Sequence, residues 1–214
     1  MARPNPLTYI EVRPVLERWA ARFPGFFDET ARGAVGCWLE LLCTWNARID
    51  LTAARSPAEL VDLMLADALT LADEIPRGAR VLDVGTGAGA PGLGLALARR
   101  DLAVTLCEPL AKRASFLRTV LGSVGRTDVS LVSKRGEELK GEWDAAISRA
   151  TLPPEEWLAL GTKLTRPGGN VWVLLANIEP PAAPGATLEA VTRYEWPETQ
   201  AVRSAARYKA TGRP

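Results

Sequence analysis

The sequence predicts an α/β protein: a doubly wound, mostly parallel sheet with helices on both faces and an N-terminal helical cap. Three observations carry that expectation. From Arg80 onward, short apolar, β-branched runs alternate with helical stretches, the pattern of a parallel sheet covered on both sides. Ahead of Arg80, apolar residues recur at helical spacing instead. The two regions meet at Arg80-Val-Leu-Asp-Val-Gly-Thr-Gly-Ala-Gly-Ala-Pro-Gly-Leu-Gly94, where a strand runs into a glycine turn and a helix start. The expected organisation is a helical cap over 1–78 and a ligand-binding domain over 79–214, packed as one compact unit.

Taken in order, residues 1–27 are broken by Pro4, Pro6, Pro14, Pro24 and Gly25, leaving room for one short helix around Val15 to Arg22. Asp28 suits the N-cap of a longer helix to about Arg48, with Val35, Trp38, Leu41, Leu42, Trp45 and Ile49 on one face. Tryptophans at that spacing read as packing residues rather than base-stacking ones. Ser56-Pro57-Ala58-Glu59 has the form of a capping box with proline at the first helical position. Its helix should turn Leu60, Leu63, Met64 and Ala68 inward and end before Pro76-Arg77-Gly78.

Val81, Leu82 and Val84 form the first strand, and Ala103–Cys107, ending at Glu108, the second. Pro109 opens a helix with Lys112, Arg113 and Arg118 exposed and Phe116, Leu117, Val120 and Leu121 inward. Val129–Val132 and Asp144–Arg149 are the third and fourth strands. A helix over Pro154–Leu164 leads through the turn Arg166–Asn170 into the apolar strand Val171–Leu175. A Pro/Ala/Gly-rich loop, a strand-like stretch Leu188–Tyr194 and a basic tail with Arg203, Arg207, Lys209 and Arg213 complete the chain.

At 214 residues, 47% hydrophobic and 24% charged, the composition is that of a globular protein with a real core. The N-terminal residues lack the apolar core of a secretory signal, and no apolar run reaches membrane-spanning length, so a cytoplasmic monomer without membrane contact is expected. Three cysteines without zinc-ligand spacing read as reduced, buried thiols. With no histidine, a transition-metal site is not expected. A net charge of only +1 means that any nucleic-acid binding must come from a local basic surface.

The glycine turn admits two readings. From Gly87, the run to Gly92 matches the dinucleotide fingerprint G-x-G-x-x-G. From Gly85, with Asp83 ahead of it, it is the pattern of S-adenosylmethionine enzymes. Position favours the second, because the strand ends at Val84 and the first glycine of the turn is Gly85. Asp83 would also repel a pyrophosphate while suiting an ammonium. The candidate cofactor residues are therefore Asp83, Gly85, Gly87 and Gly89, joined by Glu108 from the next strand end. In a doubly wound sheet these strand ends lie side by side at the ligand-binding edge, where a carboxylate can accept both ribose hydroxyls. Gly136 and Glu137, after the third strand, fall where an adenine would lie.

Several motifs together carry a family resemblance: Trp45-Asn46-x-x-Ile49-Asp50-Leu51-Thr52, Pro57-x-Glu59, the glycine run, Lys112-Arg113-x-x-Phe116-Leu117-Arg118, Arg135-Gly-Glu-Glu138 and Ser148-Arg149-Ala150. Between Trp45 and Gly169 the chain resembles the bacterial 16S ribosomal RNA guanine-N7 methyltransferases, the glucose-inhibited division protein B family. The resemblance implies a class I methyltransferase fold, S-adenosyl-L-methionine as cofactor and 16S rRNA or the small ribosomal subunit as partner. It implies that Gly85 and Ala90 line the methionine end, Glu108 the ribose, and Gly136 with Glu137 the adenine. Arg135 and Arg149 fall on substrate-side, catalytic arginines.

This chain departs from the family pattern on the substrate side. His-x-Leu-Asp-Ser reads Met64-Leu-Ala-Asp67-Ala68, an Asn reads Asp50, and Leu-Lys-Gly reads Leu174-Leu175-Ala176. Three other readings stay open: a diverged methyltransferase with another RNA or a small-molecule substrate, a non-catalytic RNA- or ribosome-binding relative, and a dinucleotide oxidoreductase.

Overall fold

A computed structural model describes residues 6–176 and 178–211. Three helices come first: α1 (Tyr9–Arg22), α2 (Glu29–Asn46) and α3 (Pro57–Ala72). The first is longer than the proline count predicts. Pro14 lies on its exposed face, so the Ile10 carbonyl left without a donor is open to water. Glu11 starts the helix earlier by accepting the Thr8 N–H at 2.9 Å. Asp28 caps α2 as expected, accepting the Ala31 N–H at 2.7 Å. At α3 the capping box is displaced by one residue. Ser56 Oγ accepts from Glu59 N, but the Glu59 carboxylate reaches Arg55 N rather than Ser56 N. Trp38 and Leu42 are fully buried, while Leu41, Trp45, Ile49 and Leu63 are only partly so.

The sheet follows, built from β1 (Arg80–Val84), β2 (Ala103–Cys107), β3 (Ser130–Val132), β4 (Trp143–Ser148), β5 (Thr165–Leu175), β6 (Ala186–Glu195) and β7 (Val202–Ala210). Its order is β3-β2-β1-β4-β5-β7-β6. The first five strands run parallel, and β7 is antiparallel to both of its neighbours. Between the strands lie α4 (Gly92–Ala98), α5 (Ala111–Ser123) and α6 (Pro154–Leu164). Side chains alternate between two cores, as the strand period requires. Val81, Val104, Leu106, Ile147 and Trp172 join the core containing residues of α1–α5, whereas Leu82, Ala146, Val171, Val173 and Leu175 join the one packed on α6. Each large apolar side chain so buried contributes roughly 1.5–3 kcal/mol.

The basic tail expected after Gln200 is instead the strand β7, inserted between β5 and β6. Its charges are committed. Arg207 pairs with Glu74 at 2.7 Å and with Glu189, Lys209 pairs with Glu189 at 3.7 Å, and Arg203 lies 4.3 Å from the centre of the Trp196 ring. Arg213 lies outside the described residues. Among the described residues no helix is long and apolar enough to cross a membrane.

Two buried aspartates on α3 fasten the end of the β6–β7 hairpin. Asp62, with no exposed surface, accepts from Glu198 N, Thr199 N and Thr199 Oγ1 at 2.7–3.1 Å. The same turn meets α1, where Arg22 donates to the Pro197 carbonyl at 2.8 Å. Asp62→Ala would leave two backbone donors and a hydroxyl without their acceptor. It is expected to lower the unfolding free energy by about 2–4 kcal/mol, read from the midpoint of urea denaturation at constant slope.

Candidate functional site

At the carboxyl end of β1 the chain must leave the sheet and enter α4 within a few residues. Gly85, Gly87 and Gly89 take positive φ values of 70°, 59° and 110°. At Gly85 the absence of a side chain is obligatory, since a Cβ there would stand 2.1 Å from the Thr151 hydroxyl. The Gly85 and Thr86 amides donate to the Cys107 carbonyl at the end of β2, at 2.8 and 3.2 Å. Trp38 holds the loop from the α2 side, its indole N–H bonded to the Ala88 carbonyl at 2.9 Å. The tryptophan is thus a packing residue as predicted, and also a support for the turn.

Asp83 and Glu108 play different parts. Asp83 has no exposed surface, and its Oδ2 accepts the Gly92 N–H at 2.8 Å, tying the strand to the first turn of α4. A Cβ on Gly92 would stand 2.7 Å from that oxygen. Asp83, which the sequence reading set toward an ammonium, lies buried beneath the turn, behind the residues that form the cleft wall. Burial pushes its carboxyl up to about 6, against the lowering influence of the Gly92 amide, the Arg149 charge and the nearby Thr86 hydroxyl, which lies outside hydrogen-bond geometry. Glu108 is 2% exposed but lines the cleft. Its Oε2 accepts Gly87 N at 3.0 Å and its Oε1 accepts Leu110 N at 2.9 Å. Each oxygen keeps a further acceptor position.

The cleft itself has a volume of about 530 Å³, within the usual range for small-ligand sites. Its walls are the glycine loop from Gly85 to Ala90, Glu108–Leu110, Arg113, the segment Leu51–Ala53, Leu63 and Met64 of α3, and Arg149–Thr151. Another hollow of about 570 Å³ lies at the amino ends of β4 and β5, lined by Lys140, Glu142 and Lys163 among others. Ligands of open α/β sheets bind at the carboxyl ends of the strands, which favours the first.

The structure brings together Gly85, Gly87, Ala90, Glu108 and Arg149 in that wall. Gly89 lies under the loop, where an added Cβ would stand 3.1 Å from Leu93 and Trp38. Gly136 is buried against Val84 and Leu160, Glu137 is exposed, and neither forms part of the wall. Arg135 is likewise exposed and outside the wall, so it does not join Arg149 there.

Arg149 is held rather than free. Its Nη1 donates to Asp67 Oδ2 at 2.9 Å and to the Leu63 carbonyl, while Nε and Nη2 carry no protein partner among the described residues. Sequence reasoning missed Asp67 as its anchor, and it read Arg113 as exposed, whereas its half-buried guanidinium binds the Asp50 carbonyl and holds the Leu51–Ala53 wall. Asn46 shapes the same segment by accepting from Leu51 N and Thr52 N. Cys107, although next to Glu108, is fully buried in the core packed on α6. Burial, reinforced by Asp83 and Glu108, raises its thiol to about 11.

These residues fit S-adenosyl-L-methionine. Glu108 has spare acceptor positions for ribose hydroxyls, the positive-φ glycines let a ligand approach the main chain, and the buried Thr86 hydroxyl has no hydrogen-bond partner. They fit a pyrophosphate poorly, because two carboxylates flank the turn.

Comparison with known proteins agrees. The sequence pattern of the family described as rRNA small subunit methyltransferase G matches residues 34–180. A ribosomal RNA small subunit methyltransferase G of Anaeromyxobacter dehalogenans is 37% identical over 194 residues, 85% of this chain and 90% of that protein. Its counterpart in Burkholderia multivorans is 34% identical over 175 residues, 76% of each chain. Among solved structures, M. jannaschii TYW2 in complex with AdoMet superposes with a TM-score of 0.55 at 13% identity, covering 77% of this chain and 80% of that one. Pyrococcus abyssi Trm5b superposes with a TM-score of 0.53 at 12% identity, covering 77% and 52%.

The raised Asp83 carboxyl has a consequence for stability. Its folded value lies above the ordinary carboxylate value, so its contribution is complete below pH about 4 and is lost as pH rises through about 6. Asp83→Asn keeps an acceptor for Gly92 without the charge. The stability of this variant relative to the parent should increase from pH 4 to pH 6 in paired denaturant titrations, and a flat difference would contradict the assignment.

Proposed function

The chain belongs to the rRNA small subunit methyltransferase G family, and from that premise we propose that it methylates N7 of a guanine in 16S rRNA, within the small ribosomal subunit, in the cytoplasm. It is a methyltransferase of the class I fold, with S-adenosyl-L-methionine as donor. The observation that carries the reading is the cleft, where the Glu108 carboxylate and the glycine loop form one wall and Arg149 another.

Glu108 would hold the ribose hydroxyls, with Gly85 and Ala90 beside the methionine end. When bound, S-adenosyl-L-methionine supplies a methyl group on a sulfonium, already electrophilic. Guanine N7 has an in-plane lone pair, so the chain has no proton to remove before attack, in keeping with a sequence without histidine. Its work is orientation and exclusion of water. Arg149 cannot bind O6 and N7 together, the common arginine–guanine pairing, because that would occupy the nucleophile. Its free Nε and Nη2 are suited to O6 alone or to a phosphate.

N7 is inaccessible in the deep groove of an A-form helix, so a loop or splayed base is the expected target. Arg48, Arg55, Lys112, Lys134 and Arg135 are exposed and would supply the local basic surface that a net charge of +1 otherwise withholds. Arg135 acts there as a phosphate contact.

Transfer of labelled methyl groups to 16S RNA or whole small subunits, followed by mapping of the modified base, is expected to place the label at guanine N7. Transfer to a small molecule with neither RNA form labelled would overturn the reading. Glu108→Ala should weaken S-adenosylhomocysteine binding by roughly 1.5–3 kcal/mol in calorimetry, the range for a hydrogen bond to a charged group. Unchanged affinity would remove Glu108 from the ribose role. The single-turnover rate should lack a steep rise between about pH 6 and 7, the signature of a histidine-like base. Such a rise would point to a different acceptor atom.

A further inference from the structure

We propose that Tyr194 and Trp196, on the β6–β7 hairpin, are positioning residues for methyl transfer that act on Arg149 through the buried carboxylate of Asp67. The inference rests on the reading of Arg149 as a substrate-side residue and adds to it the device that aims the side chain.

Asp67 is 2% exposed and stands on α3. Three donors from distant parts of the chain converge on it. The Tyr194 hydroxyl and the Trp196 indole N–H both donate to Oδ1, at 2.7 and 3.1 Å, and Arg149 Nη1 donates to Oδ2 at 2.9 Å. Two donors on one oxygen hold the carboxylate in one plane and so set the direction from which Arg149 can meet the other oxygen. Arg149 takes that direction and is secured a second time by the Leu63 carbonyl. The guanidinium is planar, so tying Nη1 sets where Nε and Nη2 point.

The donors come from a rigid source. The turn that follows them is fastened to α3 by Asp62, which accepts from Glu198 N and Thr199 N, and to α1 by Arg22 on the Pro197 carbonyl. Burial, with the adjacent Asp67 charge, holds the Tyr194 hydroxyl protonated far above the ordinary phenol range, so it remains a donor. Neither Tyr194 nor Trp196 forms part of the cleft wall, so neither has a direct claim on substrate.

The test is a double-mutant cycle on the full chain, with single-turnover methyl transfer to 16S RNA or small subunits. Tyr194→Phe removes one donor and keeps the ring. It should lower the rate about tenfold, from the loss of one hydrogen bond to a charged group, with KM for RNA and S-adenosylhomocysteine affinity within about twofold of the parent. Trp196→Phe removes the other donor to the same oxygen and should show the same split. In an Arg149→Lys background, either change should have little further effect, because the group being aimed has gone. Equal fold-losses in both backgrounds would overturn the relay while leaving Arg149 in its role. An Arg149→Lys enzyme as fast as the parent would instead overturn the substrate-side reading of Arg149 and the relay with it.

Discussion

Asp83 gives up its hydration entirely to accept one backbone amide, and the shape of the cleft follows from that exchange. The bond to Gly92 pulls the first turn of α4 against the end of β1 so closely that no side chain fits between them. The intervening residues must then turn back sharply, which is why three glycines take positive φ there. Once folded, the loop is held from three other sides: the Cys107 carbonyl, the Glu108 carboxylate and the Trp38 indole. A carboxylate that holds its proton more tightly here than in water, yet is ionised at neutral pH, is a tension the fold carries.

The elements that announce themselves by period or by cap were legible in the sequence. The first four strands, α6 and the glycine loop follow the reading closely, because apolar alternation and turn chemistry are local properties. β5, by contrast, already begins at Thr165 and takes in the expected turn Arg166–Asn170, where its register against β4 shifts. β7 was not legible. Its buried positions include Ala205, Ala206 and Ala210, which carry little strand preference, and its arginines and lysine look like a solvated tail until their partners Glu74 and Glu189 are known. Asp62 and Asp67 were missed as anchors for the same reason. A buried carboxylate on an apolar helix makes sense only with donors more than a hundred residues away, and no spacing rule records those. Within the site, Glu108 and Arg149 could be found from strand ends, whereas the side-chain geometry that separates wall from support could not.

The departures from the family pattern take on different meanings in three dimensions. Met64, in place of a histidine, lies in the cleft wall, where a flexible thioether offers shape but no proton. Leu175, in place of a lysine, is 3% exposed in the smaller core, opposite Ser204 of β7. A lysine at that site would have to bury its charge or displace its neighbours. The aspartate that persists between them, Asp67, is the one that orients Arg149.

The insertion of β7 between β5 and β6 imposes an order on the birth of the protein. Residues 186–195 leave the ribosome before the strand that connects them to the sheet, since β6 pairs with β7 alone. Until residues 202–210 follow, the outer edge of β5 stays open, a template for wrong pairings in a nascent chain. The α3 aspartates meanwhile wait for donors that have yet to be synthesised. Arg149 can find its carboxylate before the hairpin has been made. It acquires its final bearing only when the hairpin comes home.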